Sequence, residues 1–315
     1  MKSISISVVM SVYNGEKAVA RTIESILDQA DVAFEFIIVN DGSTDQSLAI
    51  IESYAKRDER IKLSSHPNQG LTRSLITGCQ QAQGEYIARQ DCGDISLPGR
   101  LYTQLATLRE NSDLSMLSCA TEFVTPKGEH LYITRQSEDE ARNGLKDLNV
   151  SQIKGPPHHG SVMFRATSYQ QAGGYRKEFI VAQDIDLWTR LIEYGDHESL
   201  SKVLYRATVE KNSISSNQRA LQFKTAEFII ASVKARANHL PQSLILRELE
   251  RLNLASPSKV QNQRVLNSNY YYHLGSILMK TEPVAGKGYL LSAIKQNPFN
   301  WRALLKLALL LSKGD

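Results

Sequence analysis

Apolar residues are distributed along this chain in two alternating textures. Short apolar-rich runs, Ile4 to Met10, Phe34 to Val39, Ile61 to Leu63 and Tyr86 to Ala88, alternate with stretches where apolar positions recur every three or four residues. Val19, Ile23, Ile26 and Leu27 follow the helical period after the first run, and Leu48, Ile51 and Tyr54 after the second. Continuous runs of this length read as strands buried on both faces. The alternation therefore predicts an α/β fold with a Rossmann-like, mainly parallel sheet flanked by helices. A helix after Gly70, another from Pro98 to Asn111, a short strand at Met116–Cys119 and a polar helix around Glu138–Leu148 are expected next. Pro156 and Pro157 mark Gly155–Gly160 as a loop, since proline fixes φ and disfavours helix before it, and a strand resumes at Ser161–Phe164.

Beyond Ser216 only helical spacing remains. Phe223–Ala237 carries Phe228, Ile229, Ala231 and Ser232 on one amphipathic segment that Pro241 stops. From Ser268 through Tyr271, Leu274, Gly275, Ala293, Pro298 and Trp301 to Leu311, the order of aromatic, Leu-Gly, small residue and Pro matches a tetratricopeptide-type helical pair, with one residue missing between Gly and Pro. A generic helical hairpin fits equally well. The expected division is residues 1–215 as an α/β catalytic domain and 216–315 as a small all-helical region.

Charge sharpens that division. The formal charge is +4 over the chain, but residues 1–215 hold 23 Lys+Arg against 28 Asp+Glu, and residues 216–315 hold 14 against 5. An acidic front and a basic back suggest different partners for each. Peripheral contact with an anionic membrane face is one expectation for the basic tail; a solvated basic surface packed on the first domain or a second subunit is the other. Interleaved aromatics and a recognised nucleic-acid module are lacking, so nucleic-acid binding is not expected. Cys79, Cys92 and Cys119 are few and unpatterned, which fits a reducing, cytoplasmic setting. No apolar run approaches the ~18–20 residues of a membrane-spanning helix.

Ligands of open α/β sheets bind outside the carboxyl ends of the strands. Acidic residues cluster in the loops expected there: Asp41 after the second strand, Asp91 and Asp94 after the fourth, and Asp184 ahead of Ile185-Asp186-Leu187-Trp188. Converging carboxylates hold a cation or move a proton. Mg²⁺ and Mn²⁺ bridge carboxylates to phosphates through oxygen, and neither GxxxxGK[ST] nor GxGxxG is present. Structural alternatives are helix capping by Asp41, Asp94 and Asp184, ion pairing by Arg89 and Arg100, and a solvent-facing or supporting role for Asp186. Trp188, at helical spacing with Leu191 and Ile192, reads as core.

The segments VVMSVYNGEKAVARTIESILDQ, FEFIIVNDGSTDQSLAII, GEYIARQDCGDISLPGRL, HHGSVMFR and GGYRKEFIVAQDIDLWTRL, in this order, resemble the family 2 nucleotide-sugar glycosyltransferases of the GT-A fold. The resemblance spans residues 3–215 and leaves the helical tail unexplained. It implies inverting transfer of a sugar from a nucleoside diphosphate, most often UDP, to an acceptor hydroxyl, in surface polysaccharide or glycolipid assembly with carbohydrate or lipid-linked acceptors. Ser11, Val12, Tyr13 and Asn14 would lie against the nucleoside, Ser11 standing where the family commonly has Pro. Asp41 matches a carboxylate near the base, and Asp91 the first acid of the metal motif at the nucleotide diphosphate. The second acid of that motif is here Gly93, with Asp94 one residue on. Asp184 matches the general base, preceded by Gln183 where Glu is common. His158 and His159 match the segment before a strand near acceptor and diphosphate, with His159 the candidate contact; their spacing suits no zinc pair. Thr208 and Glu210 precede Ser213-Ile214-Ser215, where the family often has a His, so no diphosphate contact is implied there. The alternative function is a non-catalytic nucleotide-sugar binder or scaffold with a partner-docking tail.

Overall fold

The computed structural model describes residues 4–146, 149, 152–211, 219–255 and 262–311. The apolar runs form β1 (Ile6–Val12), β2 (Phe34–Asp41), β3 (Ile61–His66) and β4 (Tyr86–Arg89), separated by helices α1 (Val19–Leu27), α2 (Ser47–Ala55) and α3 (Leu71–Gln81). There follow β5 (Ile95–Ser96), α4 (Arg100–Glu110), β6 (Leu114–Val124), β7 (His130–Thr134), α5 (Glu138–Asn143), β8 (Met163–Arg165), α6 (Ala166–Gln171), α7 (Gln183–Leu191) and β9 (Asp196–Thr208). Helices α8 (Arg219–Ala237), α9 (Ser243–Ala255), α10 (Gln263–Leu278), α11 (Pro283–Gln296) and α12 (Trp301–Leu311) complete the described chain.

The sheet order is β3-β2-β1-β4-β8-β6-β9-β5, with β7 pairing β6. Its first four strands are parallel, and β8 then runs antiparallel to both β4 and β6. The parallel half is the one legible in the apolar runs, and its pleat explains why. Ile6, Val8, Met10 and Val12 of β1 pack in one layer with Val19, Ile23 and Ile26 of α1, while Val9 packs on the other face with Ile37, Val39, Leu75, Leu187 and Trp188. Each such side chain taken from water contributes about 1.5–3 kcal/mol, so both faces of these strands must be apolar. By contrast β9, whose sequence DHESLSKVLYRAT is half polar and whose residues are mixed in burial, carries no such run. It was not expected from the sequence; nor were β5 and β7.

Two compact units emerge. One comprises Met1–Glu122, Ile133–Ala207 and Gln218–Ala255; the other comprises Phe123–Tyr132, Thr208–Asn217 and Ser256–Asp315. Helices α8 and α9 thus cluster with the α/β unit, with Ile229 and Leu249 packing on Phe179, whereas the expected division fell before them at residue 215. In the second unit α10 and α11 form a hairpin around Leu274, Leu278 and Leu290. Gly275 and Gly286 let the two backbones approach: a Cβ on Gly275 would lie 2.9 Å from the Gly286 carbonyl oxygen. Ser268 ties three helices together, donating to the Ala293 carbonyl at 2.7 Å and accepting from Asn300 Nδ2 at 2.8 Å. Among the described residues no helix is long and apolar enough to cross a membrane.

Candidate active site

The carboxyl ends of β1, β2 and β4 lie side by side because these strands are parallel neighbours. Strand β1 extends to Val12, so Ser11 and Val12 are its last two residues and the loop begins at Tyr13, which is exposed. Asn14 adopts a left-handed φ of 51°. Its Oδ1 accepts the Thr44 N–H at 2.8 Å, its own N–H donates to Ser43 Oγ at 3.0 Å, and the Gly15 N–H donates to Ser47 Oγ at 2.8 Å. The loops after β1 and β2 are therefore fastened to each other.

Asp41 is buried, and its carboxylate does not cap α2. It accepts the N–H groups of Gln69 at 2.8 Å and Gly70 at 3.0 Å and the Asn68 amide at 3.2 Å, with His66 Nδ1 at 3.4 Å. Both carboxylate oxygens brace the turn that leads into α3. That is a positioning arrangement for the β3–α3 loop.

The turn after β4 carries the acidic cluster. Arg89 is fully buried and donates to the Val9 and Gln90 carbonyls at 2.6 and 3.0 Å and to Asp91 Oδ1 at 2.5 Å. Burial works against charge on Asp91, but the adjoining Arg89 guanidinium together with His159 and His158 outweighs it and holds the carboxyl at about 2. Gln90 spans the turn, donating to the carbonyls of Asp91 and Asp94 at 3.1 Å. Arg100, expected in an ion pair, instead donates to Gln90, Ser96, Gln104 and the Arg89 carbonyl, and lies over the Tyr205 ring. These acceptors are amide, hydroxyl and carbonyl oxygens under the loop, so it serves as a scaffold for the turn.

Tyr205, from β9, completes this cluster and carried no sequence signal. Its hydroxyl donates to Asp94 Oδ2 at 3.0 Å and accepts the Asp91 N–H at 3.1 Å, and its ring stacks on His158 with centroids 5.3 Å apart. Asp94 thus belongs to the turn and not to the cap of α4, whose N-cap is Gly99. Gly160 is required beside it, since a Cβ there would collide with the Tyr205 hydroxyl.

His158, whose spacing from His159 suits no zinc pair, belongs to the same cluster. Its Nδ1 lies 3.8 Å from Asp91 Oδ2 and its Nε2 3.7 Å from Asp94 Oδ2, and the three residues each offer an atom within 4.8 Å of the others. Spacing in sequence could not reveal this, because β8 brings the histidine to the turn from a distant segment. Burial presses its pKa down despite Asp91. Gly160 N–H donates to Nδ1 at 3.1 Å, which assigns the proton of the neutral ring to Nε2. The oxygens of Asp91 and Asp94 are therefore the donors suited to Mg²⁺ or Mn²⁺, with His158 walling the site.

His159 faces inward. Its Nε2 accepts from Arg89 Nε at 3.2 Å and lies 2.7 Å from the Tyr175 hydroxyl, and burial followed by Arg89 drives its pKa well below the usual value. It packs edge-on against Trp188, centroids 5.8 Å apart. Trp188 itself is core.

Helix α7 presents Asp184 in its first turn, after Ala182 in the left-handed region at φ 53°. A non-glycine residue there is uncommon and fixes the entry angle of the helix. Asp184 Oδ1 accepts the Ile185 N–H at 2.9 Å. Its pKa is raised, first by burial and further by Asp91. Asp186 faces the other way into the protein and is fully buried, not solvent-facing. It forms an ion pair with Arg176 and another with Arg190, the latter at 2.6 Å. Ser213, Ile214 and Ser215 lie outside the described residues, as does the end of the helix expected to reach Leu148.

Comparison with known proteins assigns the architecture. The sequence model for glycosyl transferase family 2 matches residues 7–171. The chain is similar to the putative glycosyltransferase EpsE of Bacillus subtilis, 33% identical over 246 residues, covering 76% of this chain and 84% of that protein. In structure it resembles S. aureus TarS 1–349 in complex with UDP-GlcNAc, with a TM-score of 0.59 at 20% identity, covering 95% of this chain and 90% of that one. The mannosyltransferase PcManGT from Pyrobaculum calidifontis, in complex with GDP-Man and Mn²⁺, superposes with a TM-score of 0.55 at 18% identity over 94% of this chain and 87% of that one. At such identities the structural likenesses speak to the fold, which is GT-A.

Proposed function

Because the chain belongs to glycosyl transferase family 2 and is a nucleotide-sugar glycosyltransferase, we propose that it catalyses inverting transfer from a UDP-sugar to an acceptor hydroxyl in surface polysaccharide or glycolipid assembly. The observation that carries this reading is the pairing of two unlike carboxylates at one crevice: Asp91 held ionised by Arg89, and Asp184 raised by burial and by Asp91 itself. Environments that push two acids apart separate a charge-holding role from a proton-transfer role.

Ser11, Val12, Tyr13 and Asn14 line the nucleoside side of this reading, at the end of β1. Asp41 acts on the nucleotide through the 66–70 turn that it braces. Asp91 and Asp94 would hold a divalent cation by oxygen, and Gly93 removes an acid from the motif without removing this pair. Such an ion would supply positive charge for the departing diphosphate. Asp184 takes the acceptor's proton as the hydroxyl attacks the anomeric carbon from the face opposite the leaving group. A raised pKa suits a carboxylate to that work, since its conjugate acid is then weaker and its basicity greater. Arg89, Gln90 and Tyr205 keep the turn in place while charge shifts across it. His159, enclosed by Arg89, Tyr175 and Trp188, shapes the floor under the diphosphate region.

The test is to assay purified protein with UDP-, GDP- and dTDP-sugars, with and without Mn²⁺, alongside Asp184→Asn and Asp91→Ala. UDP-sugar turnover that Asp184→Asn removes, together with Mn²⁺-dependent UDP binding that Asp91→Ala removes, is the expected outcome. Saturable donor binding without turnover for any donor, unaffected by Asp184→Asn, overturns it in favour of a binder.

A further inference from the structure

Helix α12 carries an exposed apolar stripe. Trp301, Leu304, Leu305 and Leu309 are 64%, 45%, 52% and 53% exposed, and Ala308 between them is exposed as well. These positions fall at i, i+3, i+4, i+7 and i+8, one continuous helical face. The opposite face is already used: Ala303 is fully buried and packs with Leu290, Ala293 and Leu307. Phe299, just ahead of the helix, is 88% exposed. The chain has thus built a second hydrophobic face beyond the one its hairpin needs.

Charge identifies what that face meets. From Pro283 to Gly314 the sequence contains no Asp or Glu, and it contains Lys287, Lys295, Arg302, Lys306 and Lys313. Arg302 and Lys306 lie along one edge of the stripe by helical phase, with the Arg302 guanidinium over the Trp301 ring. Lys306 also donates to the Ser276 carbonyl at 3.2 Å, which anchors that edge to the hairpin. A two-fold contact with another copy through this face would set basic against basic with no acid in the segment to answer it. A stripe of leucines with aromatics at one end and a cationic flank is instead the pattern of a helix lying in a bilayer interface.

We propose that α12 is a membrane-docking face that seats the protein on an anionic lipid bilayer, with Trp301 and its leucines at the acyl boundary and Arg302, Lys287 and Lys295 toward the headgroups. This does not depend on the donor or on the catalytic assignments. Each basic residue near such a surface contributes about fivefold in partitioning, and the effect fades as salt screens it.

The chain reports on itself, because it has only two tryptophans and Trp188 is buried. Full-length protein is mixed with phosphatidylcholine vesicles with and without phosphatidylglycerol, and cosedimentation and tryptophan emission are followed. Binding to the anionic vesicles, a blue shift of the emission that Trp301→Phe removes while binding persists, and a loss of binding of about tenfold or more in Leu304→Glu/Leu305→Glu are expected. UDP-sugar hydrolysis in the absence of vesicles, where the parent shows it, and the circular dichroism of the double variant should match the parent, since these side chains lie on the surface. No binding to anionic vesicles at low salt, or binding that leaves Trp301 emission unchanged and survives the double variant, overturns the proposal. So does concentration-dependent self-association by the parent that the double variant abolishes, which would make the face an interface between copies.

Discussion

Removing Asp186 gives a sharp test of how α7 is held. Its carboxylate is fully buried and serves two guanidiniums: Arg176 through Nε at 3.1 Å and Nη2, and Arg190 through Nη2 at 2.6 Å. In Asp186→Ala both cations stay in place without their anion. Burial already presses Arg190 below its ordinary pKa and Asp186 is the group that opposes it, so the loss falls on a site with little water to take over. Breaking a buried pair in this way costs about 3–5 kcal/mol. Some compensation is built in, because Arg190 keeps the carbonyls of Ala172 and Gly174 at 2.5 and 2.7 Å, and Arg176 keeps Gln242 at 2.8 Å. The lower end, about 3 kcal/mol, is therefore expected. For a unit of this size that is a fall of roughly 6–12 °C in Tm. With two compact units a whole-chain transition is not two-state, so unfolding is best followed by Trp188 emission in a Trp301→Phe background. Trp188 sits on the helix in question. Glu138→Ala, which removes an exposed pair with Arg142, is the control and should cost about 0–1 kcal/mol. A midpoint for Asp186→Ala within that control's range would refute the argument that this pair locks the helix.

Two other outcomes bear on the chemistry. In the pH profile of transfer the rate should fall on the acid side as Asp184 protonates, at a pH above that of an ordinary aspartate, because burial and Asp91 raise its pKa. The sign for stability is the reverse: a carboxyl whose folded pKa is raised stabilises the fold at low pH, and that stability is lost as pH rises through the folded value. Asp184→Asn should accordingly be at least as stable as the parent at neutral pH by thermal denaturation while losing about 10²–10⁴ in kcat; a clear drop in Tm would instead mark Asp184 as structural. Gly160→Ala, whose new Cβ meets the Tyr205 hydroxyl, should cost about 1–3 kcal/mol in overpacking and weaken Mn²⁺-dependent UDP binding by calorimetry, because Tyr205 must release Asp94 and the Asp91 N–H. Unchanged binding would show that Tyr205 does not position the turn.

The parallel half of the sheet was legible because both of its faces are buried, which leaves apolar-rich runs at Phe34–Val39 and Tyr86–Ala88. The antiparallel half was not. Strand β9 mixes charged and apolar residues in its thirteen positions, so its pairing partners, rather than its own pattern, decide its conformation. The same limit applies to the site. The acids could be picked out by motif and by loop position, but the partners that define their states could not. Asp41 gave no hint of its bonds to the Gln69 and Gly70 backbone and the Asn68 amide, nor His158 of its approach to Asp91 and Asp94. Helical phase separates Asp186 from Asp184, two residues away on one helix, but phase cannot say whether solvent or two arginines wait on the far side.

The insertion of β8 between β4 and β6 also has a consequence in time. During synthesis the four parallel strands are complete once Arg89 has emerged, yet β8 begins roughly seventy residues later. At the ribosome's pace of about 5–20 residues per second, the edge of β4 stands unpaired for several seconds. His158 reaches Asp91 and Asp94 with that same strand. A nascent chain would therefore display an open sheet edge beside an incomplete acidic cluster, and its yield in the cell should depend on what shields that edge before residue 163 arrives.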